Sequence, residues 1–377
     1  LNPEARKWFG EHYACLTDKG IDGFWNDMNE PALFYSDKSL KAVFEKLHEY
    51  YGKDIDLQDL WDFQGMVNSL ANNPEDYRSF YHNVDGKMVR HDKVHNLYGY
   101  NMTRSASEAF DKIAPGRRIL MFSRSSYIGM HRYGGIWTGD NASWWSHIEL
   151  IMHQLPALNM CGFLYCGADT GGFGADTTEE LLMRFIEMSM FTPLMRNHAA
   201  LGTRLQEIYQ FKDIDSFRNL LNLRYSLIPY LYSEYIKAVK NGTLLFTPIG
   251  MIYRKDREAR LVEDQLFVGE SIMIAPVYKE NARGRYVYLP EDMLMLRFRS
   301  PIDYDEEMMS AGHHYVSVDV NEVLIWVRKN HALILGKGAE STADISHDNF
   351  NVIKCGDVSS YIYFDEYENE SETILKF

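Results

Sequence analysis

Over the first 240 residues, apolar stretches of strand length alternate with helical periods, and each such stretch runs into a charged residue. Ile21–Asp27 closes on Asp27, Arg118–Ser123 on Arg124, Gly134–Thr138 leads to Asp140, and Cys161–Ala168 leads to Asp169. Helical spacing fills the gaps. It predicts a helix from Asn2-Pro3-Glu4 through Leu16, closed by Gly20, and further helices over Tyr98–Ile113, from about Trp144 to Leu158 and over Glu179–Met190. A long helix near Asp215–Lys240 contains Pro229, where a kink is expected. Such alternation requires a parallel sheet covered by helices. An α/β barrel takes its functional groups from the C-terminal ends of several strands, which matches four charged strand ends. A doubly wound sheet gathers its site at one switch point, commonly with a glycine-rich phosphate loop, and neither GxGxxG nor GxxxxGK[ST] occurs. The expected fold class is therefore α/β: the C-terminal part of a (β/α)8 TIM barrel, followed by all-β sandwich modules.

Residues 33–95 interrupt the alternation. They are charged, Tyr-rich and helical in patches (Lys41–Tyr50), with no regular strand expected, and are far longer than a βα loop of roughly 2–6 residues. We read them as an insertion. Near Asn241-Gly242 the helical period stops, and short alternating segments begin (SIMIAPV, RGRYVYLP, HHYVSVDV, EVLIWVRK, ALILG, FNVIKCG, SYIYFDE). The expected domains are a catalytic barrel over 1–241, from strand 4 onward, a proximal β-sandwich over 242–330 and a distal β module over 331–377. Only four or five barrel strands can be placed, and a half-barrel exposes two edges. The remaining strands are expected to precede Leu1, and the chain, which starts on Leu, is expected to be a piece of a longer protein. A leader is not observable in such a chain; a cytoplasmic location is the favoured expectation.

Composition narrows the function. With 46% hydrophobic and 14% aromatic residues, the chain suits a globular enzyme with a stacking-type pocket. The net charge of −14 repels phosphate backbones, so neither nucleic acid nor an anionic membrane is an expected partner. No run of 18 apolar residues occurs. Cys15, Cys161, Cys166 and Cys355 form no CxxC pair and are expected to be buried thiols. HExxH and GxSxG are absent, so no motif calls for a metal or another cofactor, or for a serine nucleophile.

What remains at the strand ends is carboxylates, an arginine, a histidine and aromatics. Two carboxyl groups flanking a bond can cleave a glycoside, one attacking or activating water and the other protonating the leaving oxygen. Aromatic rings stack on sugars, and Arg and His donate to hydroxyls. A single strand-end Asp is equally well explained as a helix cap. GFWNDMNE (23–30) and WTGDNASWW (137–145) are harder to explain that way, because each ends a buried run in a knot of polar groups.

GIDGFWNDMNEPA closely resembles the nucleophile segment of the α-glucosidases of glycoside hydrolase family 31, the maltase and isomaltase family. YGGIWTGDNASWW resembles the family's acid/base segment. FSRSS, GADTGGF and LMRNH resemble segments lining the −1 sugar subsite, and HNLYGYNMTRSA, LRYSLIPYLYSEY and GESIMIAPV resemble segments without catalytic roles. The resemblance spans most of residues 1–300; the Met- and acid-rich stretch 301–330 departs from it, and the last 50 residues match only in type. It implies that Asp27 is the nucleophile and Asp140 the acid/base of a retaining α-glucosidase. Trp25, Met28, Arg124, Trp137, Asp169, Phe173 and His198 would contact the substrate, an oligosaccharide of maltose or isomaltose type. Asn29 and Glu30 are expected to brace the loop, and crowding by Trp137 and Trp144 is expected to raise the pKa of Asp140. The resemblance also implies that the enzyme needs an N-terminal β-sandwich and the first barrel strands. It leaves linkage preference and oligomeric state open. Alternatives are a non-catalytic sugar-binding protein on a hydrolase scaffold, or a transglycosylase or α-glucan lyase of the same family. Asn101, Asn141, Asn241 and Asn369 begin N-x-[ST] sequences and are read as unglycosylated, since a glycan on Asn141 would block the pocket.

Overall fold

Asn2 starts the chain's first helix as its sequence predicts. In the computed structural model, which describes residues 2–32, 34–365 and 373–377, the Asn2 side chain accepts from the amides of Glu4 and Ala5, with Pro3 in the first turn. The single helix expected to reach Leu16 is instead two, α1 (Pro3–Glu11) and α2 (Ala14–Thr17). The break lets Tyr13 turn inward. Its ring packs edge-on against Phe24 and Phe110, and its hydroxyl donates to Asn26 Oδ1 at 2.9 Å.

The chain divides into two compact units, Leu1–Ile136 and Trp137–Phe377. In the first, β1 (Gly23–Asn26) leads into the insertion, which holds α3 (Asp37–Tyr50), α4 (Leu57–Asn68) and α5 (Pro74–Ser79). It also holds a hairpin that the sequence reading missed, β2 (Tyr81–Val84) and β3 (Lys87–Arg90). Its turn residues, Asp85 and Gly86, both take positive φ (49° and 83°), the conformation an Asp-Gly pair favours in a two-residue hairpin. The turn chemistry was the signal; the flanking segments are too short and too polar to alternate clearly. After α6 (Leu97–Ile113), β4 (Leu120–Ser123) and β5 (Gly135–Ile136) complete a parallel sheet in the order β1-β4-β5. Phe24, Ala106, Phe110 and Met121 form the core between α6 and this sheet.

The second unit contains α7 (Trp145–Met160), β6 (Asp169–Thr170), α8 (Glu179–Ser189), β7 (Arg196–Asn197) and α9 (Ile214–Asn241), which runs unbroken through Pro229. The strand expected over Cys161–Ala168 is not formed. That segment is turn and extended chain, held by single bonds such as Thr138 N to Gly167 O, and only Asp169–Thr170 makes a ladder, parallel to Arg196–Asn197. The expectation of four buried thiols is corrected with it. Cys166 and Cys355 are buried, while Cys15, in α2, and Cys161, in the turn after α7, are exposed.

Beyond α9 lie β8 (Phe246–Pro248), α10 (Ile249–Ile252), β9 (Leu266–Val268), β10 (Ile272–Ile274), β11 (Gly284–Leu289), β12 (Met293–Ser300), β13 (Asp303–Met309), β14 (Gly312–Ser317) and β15 (Val323–Arg328). Six of these strands form one antiparallel sheet, in the order β13-β12-β15-β10-β9-β8, and the antiparallel pair of β11 and β14, which brackets β12 and β13 in the chain, packs over it through Val287, Leu289, Met293, Val316 and Trp326. β12 and β13 were not foreseen. β12 (MLMLRFRS) is buried on both faces along its first half, so it shows no alternation, and Met is a helix former in isolation. β13 is an edge strand whose exposed acids Asp303 and Asp305 pair with Arg299, a charged edge of the kind that resists pairing with other chains. The hairpin of β16 (His331–Leu335) and β17 (Asn351–Cys355) pairs separately from β18 (Ser360–Tyr363) and β19 (Thr373–Lys376), and both lie against α9. Trp326 is fully enclosed, its Nε1 donating to Met309 Sδ. Trp326→Ala is expected to cost about 3–5 kcal/mol, read as a lowered urea midpoint of the chain.

Candidate active site

The parallel register of β1 and β4 pairs Asn26 with Ser123, and Arg124 N donates to Asn26 O at 3.0 Å. The next residue of each strand, Asp27 and Arg124, is therefore brought side by side. Arg124 Nη1 lies 3.1 Å from Asp27 Oδ1, while its Nε and Nη2 form a bidentate fork on Glu30 at 2.8 and 3.0 Å. Asp27 Oδ1 also accepts from the Met28 amide at 2.7 Å. One guanidinium thus spans two carboxylates of a single tight loop, a strong charge-assisted arrangement. The loop is braced from below. Buried Asn29 donates to Ser123 Oγ and accepts from Ser125 N, and Met28 takes a left-handed φ of 54°, a conformation that costs energy for a non-glycine residue and gathers at functional sites. Trp25 stacks on Phe122 with its outer face exposed.

The second unit assembles another cluster. The Asn141 side chain clips the backbone of Asp169 from both sides, donating to its carbonyl and accepting from its amide, each at 2.9 Å. Asp169 is only 1% exposed. Its Oδ1 meets Arg196 Nη2 at 2.6 Å, and its Oδ2 is buried with no hydrogen-bond partner among the described residues. Burial pushes the Asp169 carboxyl up from the ordinary aspartate range, and Arg196 opposes that rise. The Arg196 guanidinium also lies over the Trp137 ring, 5.8 Å from its centroid. Phe173 stacks on His198 at 5.1 Å. A cavity of about 900 Å³ opens beside His198 and is also lined by Leu201, Arg204, Tyr209 and Tyr225.

The loop geometry explains the glycines of GADTGGF. Gly172 takes φ +93°, and a Cβ there would stand 2.2 Å from Ser143 N, so only glycine lets this loop lie against the segment that follows Asp140. Gly172→Ala is expected to cost at least about 1–3 kcal/mol, measured as a fall in Tm.

Crowding of Asp140 by the two tryptophans is not found. Asp140 is exposed, Trp144 is 56% exposed, and Trp137 is buried beneath Arg196. Gly139, at φ +82°, turns the chain outward just before Asp140. Of the N-x-[ST] positions, Asn141 has a buried, bonded amide and Asn101 Nδ2 donates to Leu97 O within α6, whereas Asn241 is exposed at the end of α9 and Asn369 lies outside the described residues. Three positions escaped sequence reasoning: Arg196, Asn141 as a clip, and Gln206, whose buried amide donates to Asn197 Oδ1 and to the Gly172 and His198 carbonyls. Arg196 and Asn141 adjoin residues already singled out; Gln206 carries no local signal.

Among the described residues, no group of three or more His, Cys, Asp or Glu could hold a metal ion, and no helix is long and apolar enough to cross a membrane. Residues 1–234 match the model of the glycosyl hydrolases family 31 TIM-barrel domain, and residues 242–333 that of the family 31 C-terminal domain. The chain is 29% identical over 371 residues to alpha-glucosidase 2 of Bacillus thermoamyloliquefaciens, covering 97% of this chain and 42% of that protein. It is 32% identical over 292 residues to a probable alpha-glucosidase of Oryza sativa subsp. japonica, covering 77% of this chain and 31% of that protein. In fold it is similar to the Flavobacterium johnsoniae dextranase FjDex31A complexed with glucose (TM-score 0.75, 22% identity, 97% of this chain and 42% of that one). It is also similar to the alpha-1,4-glucan lyase of Gracilariopsis lemaneiformis (TM-score 0.73, 23% identity, 89% and 35%). The chain thus spans less than half the length of these relatives. A barrel-domain match over more than half the chain, the parallel β1-β4-β5 sheet and the adjoining C-terminal domain lead to one conclusion: the chain belongs to glycoside hydrolase family 31.

Proposed function

We propose that this chain carries the catalytic half-barrel of a retaining α-glucosidase that removes terminal non-reducing α-linked glucose from oligosaccharides of maltose or isomaltose type. The observation that carries the proposal is the Arg124 fork. It presents Asp27 at the end of a parallel strand with Oδ1 held by Arg124 and by the Met28 amide, so Oδ2 is the oxygen available to attack an anomeric carbon. In the reaction, Asp27 displaces the leaving group to form a β-glycosyl ester, while Asp140 protonates the departing oxygen. Asp140 then takes a proton from water, which cleaves the ester, and the product keeps the α configuration. This chemistry requires the two carboxyl groups to converge to about 5–5.5 Å. Asp169 Oδ2, buried and without a hydrogen-bond partner among the described residues, is suited to accept from a sugar hydroxyl. Arg124 and His198 would donate to others, and Trp25, Met28, Trp137 and Phe173 would wall the pocket.

The same proposal assigns residues 1–241 to the barrel from its fourth strand onward, 242–330 to the proximal sandwich and 331–377 to the distal module. The described residues hold five parallel strands in two separate ladders, β1-β4-β5 and β6-β7, whereas barrel closure takes eight. Activity is therefore assigned to a protein whose barrel is completed by an N-terminal portion. The test is incubation of that protein with p-nitrophenyl α-glucoside and with maltose, following the first-formed anomer by NMR. α-Glucose as the initial product supports the proposal. Sugar binding without turnover, anhydrofructose, or transfer products in place of glucose would replace it with the binding-protein, lyase or transglycosylase reading respectively.

A further inference from the structure

The insertion contains three imidazoles in a hydrogen-bonded row. His82 Nε2 lies 2.8 Å from His91 Nδ1, and His91 Nε2 lies 3.2 Å from His95 Nδ1. His91, in the middle, is fully buried. Rings pack around it: Phe34 at 4.6 Å, Tyr77 at 4.9 Å and Tyr98 at 6.1 Å, with Tyr77 also stacked on His95 at 4.6 Å. The row joins the hairpin, through His82 on β2, to the segment that enters α6. It reaches the catalytic loop through Phe34, which follows the Asp27–Pro31 turn closely in sequence and packs on Phe80 at 4.0 Å.

A neutral imidazole has one N–H and one lone pair. Two N–H···N bonds along three neutral rings therefore form only when all the protons point the same way. One added proton can be accommodated, because a ring donating at both nitrogens still meets lone pairs. A second proton sets N–H against N–H, and one link is lost. The charged and titratable groups around the row are few. Asp92 is held by Arg90 in a two-bond fork, Lys93 lies beside it, Arg6 of α1 shares a small cavity with His82 and Tyr98, and Glu30 acts on Tyr77. Asp76 of α5 is occupied by Ser36 and Ser39.

We propose that the His82–His91–His95 row is a proton-sensitive latch that fastens the insertion and, through Phe34, positions the loop bearing Asp27, and that it opens in acid. Burial, then repulsion from His82 and His95, pushes His91 down to about 4, against a small opposing effect of Asp92. The unfolded ring titrates near 6.5. A depressed folded-state pKa means that the stability tied to the neutral row is complete above about pH 6.5 and drains away as pH falls toward 4. The effect on catalysis rests on the reading of Asp27 as nucleophile; the latch itself does not.

Hydrogen exchange of the whole protein tests it. After correction for intrinsic rates, protection of residues 74–98 is expected to fall roughly 50-fold between pH 7 and pH 4.5, with residues 120–123 of β4 unchanged. His91→Gln, which keeps a donor and an acceptor but does not titrate, is expected to flatten that dependence. Protection independent of pH, a loss shared equally by β4, or an unflattened profile in the variant would overturn the latch. Should the variant not fold, ring NMR of the unaltered protein decides: a neutral His91 at pH 5.5 supports the latch, and titration near 6.5 overturns it. If glucosides are turned over, the acid limb of kcat is expected to be shallower in His91→Gln. Absence of turnover at every pH would sink the glucosidase reading and leave the exchange result to judge the latch.

Discussion

Asp27→Ala is expected to lower kcat for p-nitrophenyl α-glucoside by about 10⁴-fold or more, equivalent to a barrier raised by at least about 5.5 kcal/mol. The size follows from the role proposed for Asp27. A carboxylate nucleophile divides one displacement into two easier steps, and alanine offers no atom to carry the glycosyl group. Because the p-nitrophenolate leaving group is already good, the acid cannot compensate for losing the nucleophile. Structure should survive. Asp27 is exposed at a strand end, the Arg124 fork on Glu30 remains, and Asn29 keeps its bonds to Ser123 and Ser125. Tm is therefore expected to move little, and binding of a glucose-like inhibitor should stay measurable by calorimetry. Asp27→Glu separates position from charge: it keeps the carboxylate but moves it about 1.5 Å, and misplacements of that order are costly. Near-normal turnover by Asp27→Ala would remove Asp27 from the chemistry.

The sequence carried the placement of charged residues at strand ends because that placement is local: an apolar run and the residue that stops it lie next to each other. Asp27 and Arg124 could be singled out this way, but their ion pair could not, since it arises from the Asn26–Ser123 register of strands far apart in the chain. The same holds for Asp169 with Arg196, joined by two-residue strands too short to leave a periodic trace. Strand length was overread wherever an apolar run continues as extended chain without a ladder, as over Cys161–Ala168. It was underread where both faces are buried, as in β12, or where the edge is acidic, as in β13. Enclosure was the least legible property. Two tryptophans near Asp140 in sequence suggested crowding, yet one turns inward beneath Arg196 and the other faces solvent.

An exposed Asp140 makes the acid step depend on what substrate and the rest of the barrel bring to it, and this sets the second large effect. Asp140→Ala is expected to reduce kcat/KM for maltose by about 10²–10⁴-fold, the usual contribution of a positioned general acid. The loss should depend on the leaving group. A sugar alkoxide leaves poorly without a proton, whereas 2,4-dinitrophenolate needs none, so glycosylation by a dinitrophenyl α-glucoside should be nearly unimpaired. Deglycosylation still lacks its base, so the covalent intermediate should accumulate and give a burst followed by slow turnover. Azide, which needs no deprotonation, should restore turnover of the activated substrate and yield α-glucosyl azide by attack on the face opposite Asp27. An equal loss for maltose and the dinitrophenyl substrate, with neither burst nor azide rescue, would mean that Asp140 is not the acid/base. The anomer of the azide bears on Asp27 as well: a β-azide would imply direct displacement on the substrate, without an Asp27 ester in between.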